Sequence, residues 1–356
     1  MNSDVPHAAT HEAVGSTEIA ADFLETRCEQ TARTSCFRQY SPIAGAEMNV
    51  LDFGMESDMA CMKLRTNTWR ALIVVAVCLY GCGDADPVAS DRYTEPDRLF
   101  AQLEKNVDSS DDLEKLVDID HSRLGAEAGS YMPPARVLIF SNPGLDAEFF
   151  RINPLAALDL PLRVLAYEST NTPGGRVSYN SFDYLRSRYN LVDAAELESL
   201  FNAAMAQALD GIASENIESF VDDTMQPDGI VTMTSPYGFE STIDRLTSAI
   251  DAQDDTVWFG EVDFRARAKS QGVETGAAVL LLFGAPAPGA KAMSQAPTLG
   301  LDAFCQKLLV WEDDDGAVKV SFNDLLALAE RHNVEKNIAL RVVNRRLKST
   351  FGGALE

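Results

Sequence analysis

The adjacent residues Asp120 and His121 are those best suited to acid–base chemistry in this sequence. An imidazole exchanges a proton near neutral pH, and a neighbouring carboxylate can orient it, so the pair could transfer protons or contribute to metal binding. One histidine and one carboxylate do not make a metal site, and no cluster of His and Cys accompanies them. The structural alternative is that His121 ends a strand and is hydrogen-bonded to its neighbour. We therefore treat Asp120 and His121 as catalytic candidates, predict no metal site and identify no cofactor.

Four other polar residues follow predicted strands or turns and are candidates for binding a ligand. Tyr179 and Asn180 would place a phenol and an amide together, although Asn180 and its counterpart Asn323 also fit helix caps. Asn142-Pro143-Gly144 could hold an anion with its backbone amides or simply form a tight turn. For Asp159, the alternative to a ligand role is capping or fixing the turn that follows it. No phosphate-binding loop, nucleophile elbow or paired-carboxylate motif accompanies these residues.

Length, composition and charge exclude several classes of protein. The chain has 356 residues, of which 46% are hydrophobic and 24% charged, so it can bury a large core and fits about two domains. Its formal net charge of −24 argues against nucleic acid as a partner, because a phosphate backbone requires a concentrated basic surface. No apolar run reaches the ~18 residues that a membrane-spanning helix needs. These features predict an acidic protein of two domains.

Residues 62–81 have the layout of a bacterial lipoprotein signal peptide. Three basic residues precede the apolar run 71–79, and Leu79-Tyr80-Gly81-Cys82 resembles a lipobox, in which the Cys is acylated and becomes the new N-terminus. A buried core helix or strand is the alternative. The signal predicts lipidation of Cys82, an extracytoplasmic location and membrane attachment through the acyl chains. By resemblance to enterobacterial sorting rules, Gly83 favours the outer membrane if the organism is Gram-negative.

Residues 1–61 are predicted to be a disordered upstream extension that follows from a misassigned start codon. They hold ten acidic and three basic residues with no sustained hydrophobic period, and a small N-terminal domain is the alternative. Residues 82–91 are predicted to be a flexible tether. Beyond Cys82 the only cysteine is Cys305, so no intramolecular disulfide is expected. The 44 acidic and 24 basic residues from Cys82 onward give a net charge of −20, which anionic lipid should repel.

The body of the chain repeats itself at an offset of 143 residues. The matched pairs include Leu103 and Leu246, Asp120 and Asp263, Pro143 and Pro286, Asp159 and Asp302, Asn180 and Asn323, and Arg188 and Arg331. One register held over roughly ninety positions indicates a tandem duplication. We therefore predict domains at 92–191 and 229–334, with a linker helix within 192–228 and a C-terminal helix and tail at 335–356.

Each copy has the pattern of helices set among strands that are joined mainly by hairpins. In the first copy, helical spacing follows Thr94-Glu95-Pro96, and the runs 116–120, 136–140 and 162–167 predict strands. Residues 229–234 predict an opening strand for the second copy that the first copy lacks. The pattern is typical of an α+β unit, an antiparallel sheet with helices packed on one face. The predicted fold is two tandem copies of this unit, each closing its own apolar interior.

Each copy also resembles the domain of unknown function 302, over 92–191 and 229–334. The resemblance rests on an Asp-His strand end, a Phe-Ser-Asn-Pro turn, an Ala-Leu-Asp-Leu-Pro run and a Tyr-Asn strand end, at 120–121, 140–143, 157–161 and 179–180. It implies a compact α+β fold similar to the TATA-binding-protein-like class, and no established reaction. The second copy has Phe264 in place of His121 and Phe322 in place of Tyr179, which indicates divergence toward a packing role.

The sequence leads to two hypotheses about function. The first is a lipid-anchored, extracytoplasmic binding or scaffold protein, whose partner is a small molecule or another protein. The second is an enzyme, or a carrier of a cofactor or metal, that uses Asp120, His121 and Tyr179 of the first copy. A pocket with His121 in its wall would support the second hypothesis, whereas a His121 enclosed in hydrogen bonds would weaken it. The sequence specifies neither the ligand nor the oligomeric state.

Overall fold

The structure of the chain is a computed structural model that describes residues 88–169, 174–220 and 229–356. The predicted upstream extension, the signal peptide, Cys82 and the first part of the tether lie outside these residues. The described residues belong to one compact unit, which contains two five-stranded sheets. Among them, no helix is both long and apolar enough to cross a membrane.

In the first copy, a long helix precedes a sheet whose strands alternate with shorter helices. Its elements are α1 (Thr94–Asp108), β1 (Glu114–Asp120), α2 (His121–Glu127), β2 (Ala135–Ser141), α3 (Pro143–Ile152), β3 (Leu162–Glu168), β4 (Gly175–Asn180), α4 (Phe182–Tyr189), α5 (Ala195–Ala208) and β5 (Ile217–Phe220). Short 3-10 segments lie at Ser90–Tyr93, Pro154–Leu158 and Ser214–Asn216. α1 forms where it was predicted because Leu99, Leu103 and Val107 recur at helical spacing, and all three are buried.

The second copy repeats this order, with one strand moved to its beginning. Its elements are β6 (Ile230–Thr234), α6 (Phe239–Asp251), β7 (Val257–Asp263), α7 (Phe264–Ser270), β8 (Ala278–Gly284), α8 (Pro286–Met293), β9 (Gln306–Glu312), β10 (Val318–Asn323), α9 (Leu325–Arg331) and α10 (Ile338–Ala354). A 3-10 segment lies at Pro297–Leu301. The closing helix α10 is present where the apolar spacing predicted it.

The two sheets share their strand order and their registers. The first runs β1-β2-β3-β4-β5 and the second β7-β8-β9-β10-β6, so four strands of each copy correspond one to one. Val117 pairs with Ile139 in the first sheet, and Gly260 pairs with Leu282, 143 residues later, in the second; each edge strand bulges just before this pair. β9 corresponds to β3 at an offset of 144, because one residue is inserted before it. The predicted duplication and the α+β class are confirmed.

The fifth strand is where the copies differ. β6 forms at its predicted place and pairs antiparallel with β10. The first copy has no such strand in the described residues before α1, and β5 occupies the equivalent edge, parallel to β4. β5 escaped prediction because it is short and has Glu218 and Ser219, both exposed, at its centre. The strand at this edge of the sheet is therefore parallel to its neighbour in the first copy and antiparallel to it in the second.

Each sheet is covered by helices of its own copy on one face and by the other copy on its second face. Gly175 of β4 lies directly against Leu99 of α1 on the helix-covered face. On the opposite face, Gly300 from the second copy's 3-10 segment contacts Leu165 of β3. The first copy's 3-10 segment packs in the same way on β8, β9 and β10. The expectation of two separate interiors is wrong, because both sheets have two apolar faces and share one core.

Two matched helix pairs complete the contact between the copies. α2 packs on α8, and its counterpart α7 packs on α3. A Cβ added to Gly125 would lie 2.4 Å from the Cβ of Ala290, so the first of these crossings requires glycine at that position. The counterparts in the second crossing are Ala268 and Ala147, both buried. The copies are thus related by an approximate two-fold arrangement, in which the helix crossing and the packing of the 3-10 segment each occur twice.

Candidate functional site

His121 is hydrogen-bonded to the second copy rather than to Asp120. It is the first residue of α2 and 6% exposed, and its Nε2 lies 3.0 Å from the carbonyl oxygen of Gly300. Asp120 instead caps α2 by accepting from the Arg123 amide at 2.8 Å, and it also accepts from Ser122 Oγ at 2.7 Å. The predicted bond between the neighbours is wrong, because the helix that begins at His121 directs its ring toward the other copy.

Burial keeps His121 neutral. Desolvation lowers its pKa to about 4, although the hydrogen bond to Gly300 acts in the opposite direction. The neutral ring carries its proton on Nε2, since the carbonyl oxygen can only accept. The cavity beside the ring is about 20 Å³, which is room for one water molecule. In the second copy the equivalent residue, Phe264, stacks on Phe150 with 5.2 Å between ring centroids. Both positions therefore serve as contacts between the copies.

The other candidate residues are distributed among separate places. Asn142 caps α3, where its Oδ1 accepts from the Leu145 amide at 3.0 Å. Tyr179 is a half-buried residue of β4, which lies three strand positions from β1. At about 4.8 Å per strand, that separation is about 14 Å. Asp120 and Tyr179 are therefore not brought into one site.

The helix caps predicted at Asn180 and Asn323 are each wrong by one residue. Ser181 caps α4, and Asp324 caps α9. In both copies the strand continues through the asparagine, and the following residue also has a side chain suited to capping. The two asparagine amides are consequently free to make bonds across the contact between the copies.

A group of charged and polar side chains lies between the copies, and we call it the interface cluster. Most of its members correspond to one another at the repeat offsets of 143 or 144. They are Asp159 and Asp302, Arg163 and Lys307, Asn180 and Asn323, Arg188 and Arg331, and Tyr189 and His332, together with Tyr184. All except Asn180 and Arg331 are buried.

Arg163 joins the two aspartates of the interface cluster. Its Nη2 donates to Asp159 Oδ1 at 2.7 Å and to Asp302 Oδ1 at 2.6 Å. Asn180 Nδ2 donates to the same Asp302 oxygen at 2.9 Å. Lys307, the counterpart of Arg163, donates to the backbone carbonyl oxygen of Asp302 at 2.8 Å. The aspartates therefore hold cations between the copies, which differs from the turn-fixing role expected from sequence.

The second oxygen of each aspartate is bound at matched positions. Tyr189 OH donates to Asp159 Oδ2 at 2.5 Å, and His332 Nε2 lies 2.9 Å from Asp302 Oδ2. His332 directly follows α9, and its hydrogen-bond partner is Asp302.

The matched arginines also connect the copies. Arg188 Nη1 donates to Asp159 Oδ2 at 2.5 Å, and its Nη2 reaches Asn323 Oδ1 in the second copy at 2.6 Å. Arg331 Nη1 reaches back to the hydroxyl of Tyr184 in the first copy. Each copy thus contributes one arginine whose guanidinium is hydrogen-bonded to the other copy.

Both aspartates stay ionised inside the protein. Burial would raise the pKa of Asp159, but the guanidiniums of Arg188 and Arg163 outweigh it and hold the pKa at about 2. For Asp302, burial is likewise outweighed by the bond from His332 and by Arg163, which keep the pKa well below its usual range. The interface cluster is therefore a set of charge-assisted hydrogen bonds, which are stronger than neutral ones.

A cleft of about 400 Å³ opens beside the interface cluster. Its lining includes Tyr167, Arg176, Glu218 and Phe220 from the first copy and residues 295–298, 332–335 and 337 from the second. Tyr167 OH donates to Glu218 Oε2 at 2.6 Å, and Arg176 Nε lies 3.5 Å from Glu218 Oε1. The ring of Phe220 meets that of His332 edge to face, with centroids 4.3 Å apart. The cleft therefore combines aromatic and charged groups, and its wall shares His332 with the interface cluster.

None of the ligand candidates from the sequence lines this cleft. Its walls come from β3, β4 and β5 and from two segments that lie at least 75 residues further along the chain, so no local motif marks it. The sequence did contain a signal for the interface cluster. Arg163 and Lys307 are lone cations within apolar strands at matched positions, and a buried cation requires a buried partner.

Asp146 is a further buried acid where α3 meets the second copy. Ser141 Oγ donates to Asp146 Oδ2 at 2.5 Å, and Arg267 Nη2 from α7 donates both to Ser141 Oγ and to Glu114 Oε2 at 2.7 Å. Asp146 is 1% exposed, and its Oδ1 has no partner among the described residues. Burial raises its pKa to about 7, although Ser141 and Arg267 oppose this.

In the part of the chain that the structure describes, no three or more His, Cys, Asp and Glu side chains are grouped to hold a metal ion. Cys305 is free and buried. Burial raises the pKa of its thiol to about 11, so the thiol is protonated at neutral pH and a poor nucleophile.

Comparison with known proteins finds similar sequences for both copies. A family model described as "Domain of unknown function DUF302" matches residues 88–211 and 231–351. The chain is 35% identical over 106 residues to "Fluoride-specific ion channel FluC 1" of Brucella suis biovar 1, covering 30% of this chain and 41% of that protein. It is equally similar to "Fluoride-specific ion channel FluC 2" of Brucella melitensis biotype 1, covering 38% of that protein. The chain thus spans about two fifths of the length of these relatives.

Among solved structures, the chain is similar to an uncharacterized conserved DUF302 protein from Bacillus stearothermophilus. The sequence identity is 18% and the TM-score 0.31, over 36% of this chain and 96% of that one.

Proposed function

The chain belongs to the DUF302 family as a tandem pair of its domains, and we propose that the pair acts as one binding unit that holds a small polar ligand in the cleft between its copies. The observation that carries this proposal is the position of the cleft. Residues of both copies line the cleft. One of them, His332, is hydrogen-bonded to the ionised Asp302 of the interface cluster.

The cleft has the size and the chemistry of a small-molecule site. A volume of about 400 Å³ falls within the range of known ligand pockets. The phenol of Tyr167 and the ring of Phe220 offer apolar faces, while Glu218 and Arg176 offer charged hydrogen-bonding groups beside them. Because the interface cluster fixes the two walls relative to each other, a ligand would meet a preorganised site.

The geometry favours binding over the hypothesis of an enzyme or carrier built on Asp120, His121 and Tyr179. His121 is neutral and bonded to Gly300, and the cavity beside it holds about one water molecule. Asp120 caps a helix, and Tyr179 lies on a distant strand. A binding role also suits the second copy. It has Phe264 and Phe322 where the first copy has His121 and Tyr179, but it keeps its structural contacts with the first copy.

Native mass spectrometry of the protein isolated from its own cells tests this proposal. We expect a bound small molecule in the unaltered chain. Thr298→Trp places a large ring in the cleft and should abolish the bound mass, whereas Ser248→Trp, on the exposed side of α6, should retain it. An unaltered chain without bound mass, or equal binding by the two variants, would contradict the proposal.

We also propose that the protein is anchored in a membrane through an acylated Cys82 and faces the extracytoplasmic side. The support is the order of basic residues, apolar run and lipobox in 62–82. Growth with a radioactive fatty acid should label the chain and not the Cys82→Ala variant. An unlabelled wild-type chain would overturn the anchor without affecting the proposed cleft.

A further inference from the structure

We infer that the exposed face of α10 binds the surface of an anionic phospholipid membrane. The helix has four cations, Arg341, Arg345, Arg346 and Lys348, and no acidic residue over its whole length. The chain as a whole has a net charge of −24, so this concentration of positive charge runs against its composition.

The exposed face of α10 combines these cations with apolar side chains. Ile338 is 81% exposed and Val342 60%, and one helical turn separates them. Arg341 and Arg345, both exposed, lie on the same face at helical spacing. Among the described residues, no other helix exposes two large apolar side chains. Basic residues beside exposed apolar ones are the composition of helices that lie in a membrane interface.

The cations of this face are available for an external partner to different degrees. Arg345 makes no hydrogen bond or ion pair with any described residue. Arg341 donates from Nε to the backbone carbonyl oxygen of Lys336 at 3.0 Å, which leaves its positive charge unpaired. Arg346 and Lys348 are paired with Asp255 and Asp324. The free charge is therefore on the same side as the exposed Ile338 and Val342.

Screening explains how an acidic protein can present this face to anionic lipid. At physiological ionic strength the Debye length is about 8 Å, so carboxylates on remote surfaces contribute little to the potential at α10. The expectation that the net charge repels anionic lipid therefore does not apply to this helix.

We favour a membrane, rather than a second copy of the chain or an acidic protein, as the binding partner of the exposed face of α10. This choice rests on the proposed anchor. The eight residues that follow Cys82, up to Ser90, can extend at most ~28 Å, which keeps the folded body close to the bilayer. An anchored body must turn one face toward the lipid headgroups, and α10 offers both complementary charge and apolar side chains.

Vesicle sedimentation tests the inference. The protein used is the chain of residues 83–356, which retains all described residues and lacks both the signal peptide and the acylation site. We expect binding to vesicles of phosphatidylglycerol mixed with phosphatidylcholine, weaker binding at high salt, and none to phosphatidylcholine alone. Arg341→Glu with Arg345→Glu should weaken binding at least about thirtyfold, because the typical energy of a basic residue near an anionic surface is lost twice and two repelling charges are added. Ile338→Ser with Val342→Ser should weaken it less.

The matched control is Arg265→Glu with Lys269→Glu, a charge reversal with the same spacing on α7. Both residues are exposed, and no exposed large apolar side chain accompanies them on that helix. The control variant should bind like the unaltered protein. The inference is overturned if the unaltered protein does not bind, if both reversals weaken binding equally, or if the α10 reversal instead dissolves a dimer. Because no acyl chain is present, failure here is distinct from failure of the Cys82 anchor.

Discussion

The guanidinium of Arg163 in the first copy lies 2.6 Å from the carboxylate of Asp302 in the second, and both side chains are almost completely buried. The same guanidinium binds Asp159 of its own copy. One buried cation is therefore shared by two carboxylates that occupy equivalent positions in the duplicated sequence. The two copies are joined at the positions that repeat, which makes the interface cluster the central structural feature of the pair.

Removing Arg163 should destabilise the whole protein strongly. Arg163→Met leaves two buried carboxylates without their common partner, and breaking a buried ion pair from one side typically costs about 3–5 kcal/mol. Equilibrium unfolding in urea measures the change. Lys307→Met is the matched control, because Lys307 occupies the equivalent position and its shortest bond is to a backbone carbonyl. We expect the control to cost about 1–2 kcal/mol; equal losses would contradict the bridging role.

Gly300 should not tolerate a side chain. A Cβ at this position would lie 2.9 Å from Cδ2 of His121 and 3.2 Å from Cδ1 of Leu165. Gly300→Ala should therefore cost about 1–3 kcal/mol, the usual penalty for overpacking. Gly353→Ala is the control, since nothing lies near its Cβ and alanine favours a helix. If thermal unfolding finds both variants equally stable, the close approach of the copies at His121 is wrong.

The raised pKa of Asp146 makes stability depend on pH in a defined direction. Its folded pKa of about 7 lies above the ordinary value of 3.8, so the folded protein retains this proton longer than the unfolded chain. This contribution is complete below about pH 4, falls as the pH rises to about 7, and is lost above that. Three pKa units correspond to about 4 kcal/mol.

Asp146→Asn should remove this pH dependence. His121 titrates in part of the same range in the opposite sense, so the quantity to measure is the difference in unfolding free energy between variant and wild type. The variant should gain stability relative to wild type as the pH rises from about 4 to about 7. A difference that stays constant over this range would show that Asp146 is ionised throughout.

His121 should remain neutral well below the usual pKa of histidine. Its burial and its bond to Gly300 predict a titration midpoint near pH 4 and a proton on Nε2. Nitrogen chemical shifts of the imidazole report both properties. A midpoint near 6.5, or a proton on Nδ1, would place His121 in a more solvated environment and restore the acid–base hypothesis.

Most of the fold could be predicted from the repeat in the sequence. The matched registers of Val117 and Gly260 follow from one pattern of apolar residues written twice, and that pattern is local. The short strand β5 escaped because neighbouring strands, rather than its own residues, stabilise it. The caps were misplaced by one residue because Asn180-Ser181 and Asn323-Asp324 each offer two suitable side chains.

The candidate site could not be predicted to the same extent. Arg163 and Asp302 are 139 residues apart, and nothing in either local sequence specifies the other as its partner. The same holds for His121 and Gly300, where a glycine in a 3-10 segment admits an imidazole from the other copy. Propensity and periodicity describe single elements, whereas these contacts arise from the way two finished sheets pack together.

Unfolding in urea, followed in both copies at once, tests most directly whether the pair is one structural unit. With Trp69→Phe, fluorescence comes only from Trp258 and Trp311 in the second copy, while hydrogen exchange of β2 and β3 amides reports on the first. A core and a buried charge cluster shared by both copies predict one transition at the same urea concentration for both probes. Two transitions, with one copy remaining folded after the other has unfolded, would contradict this account.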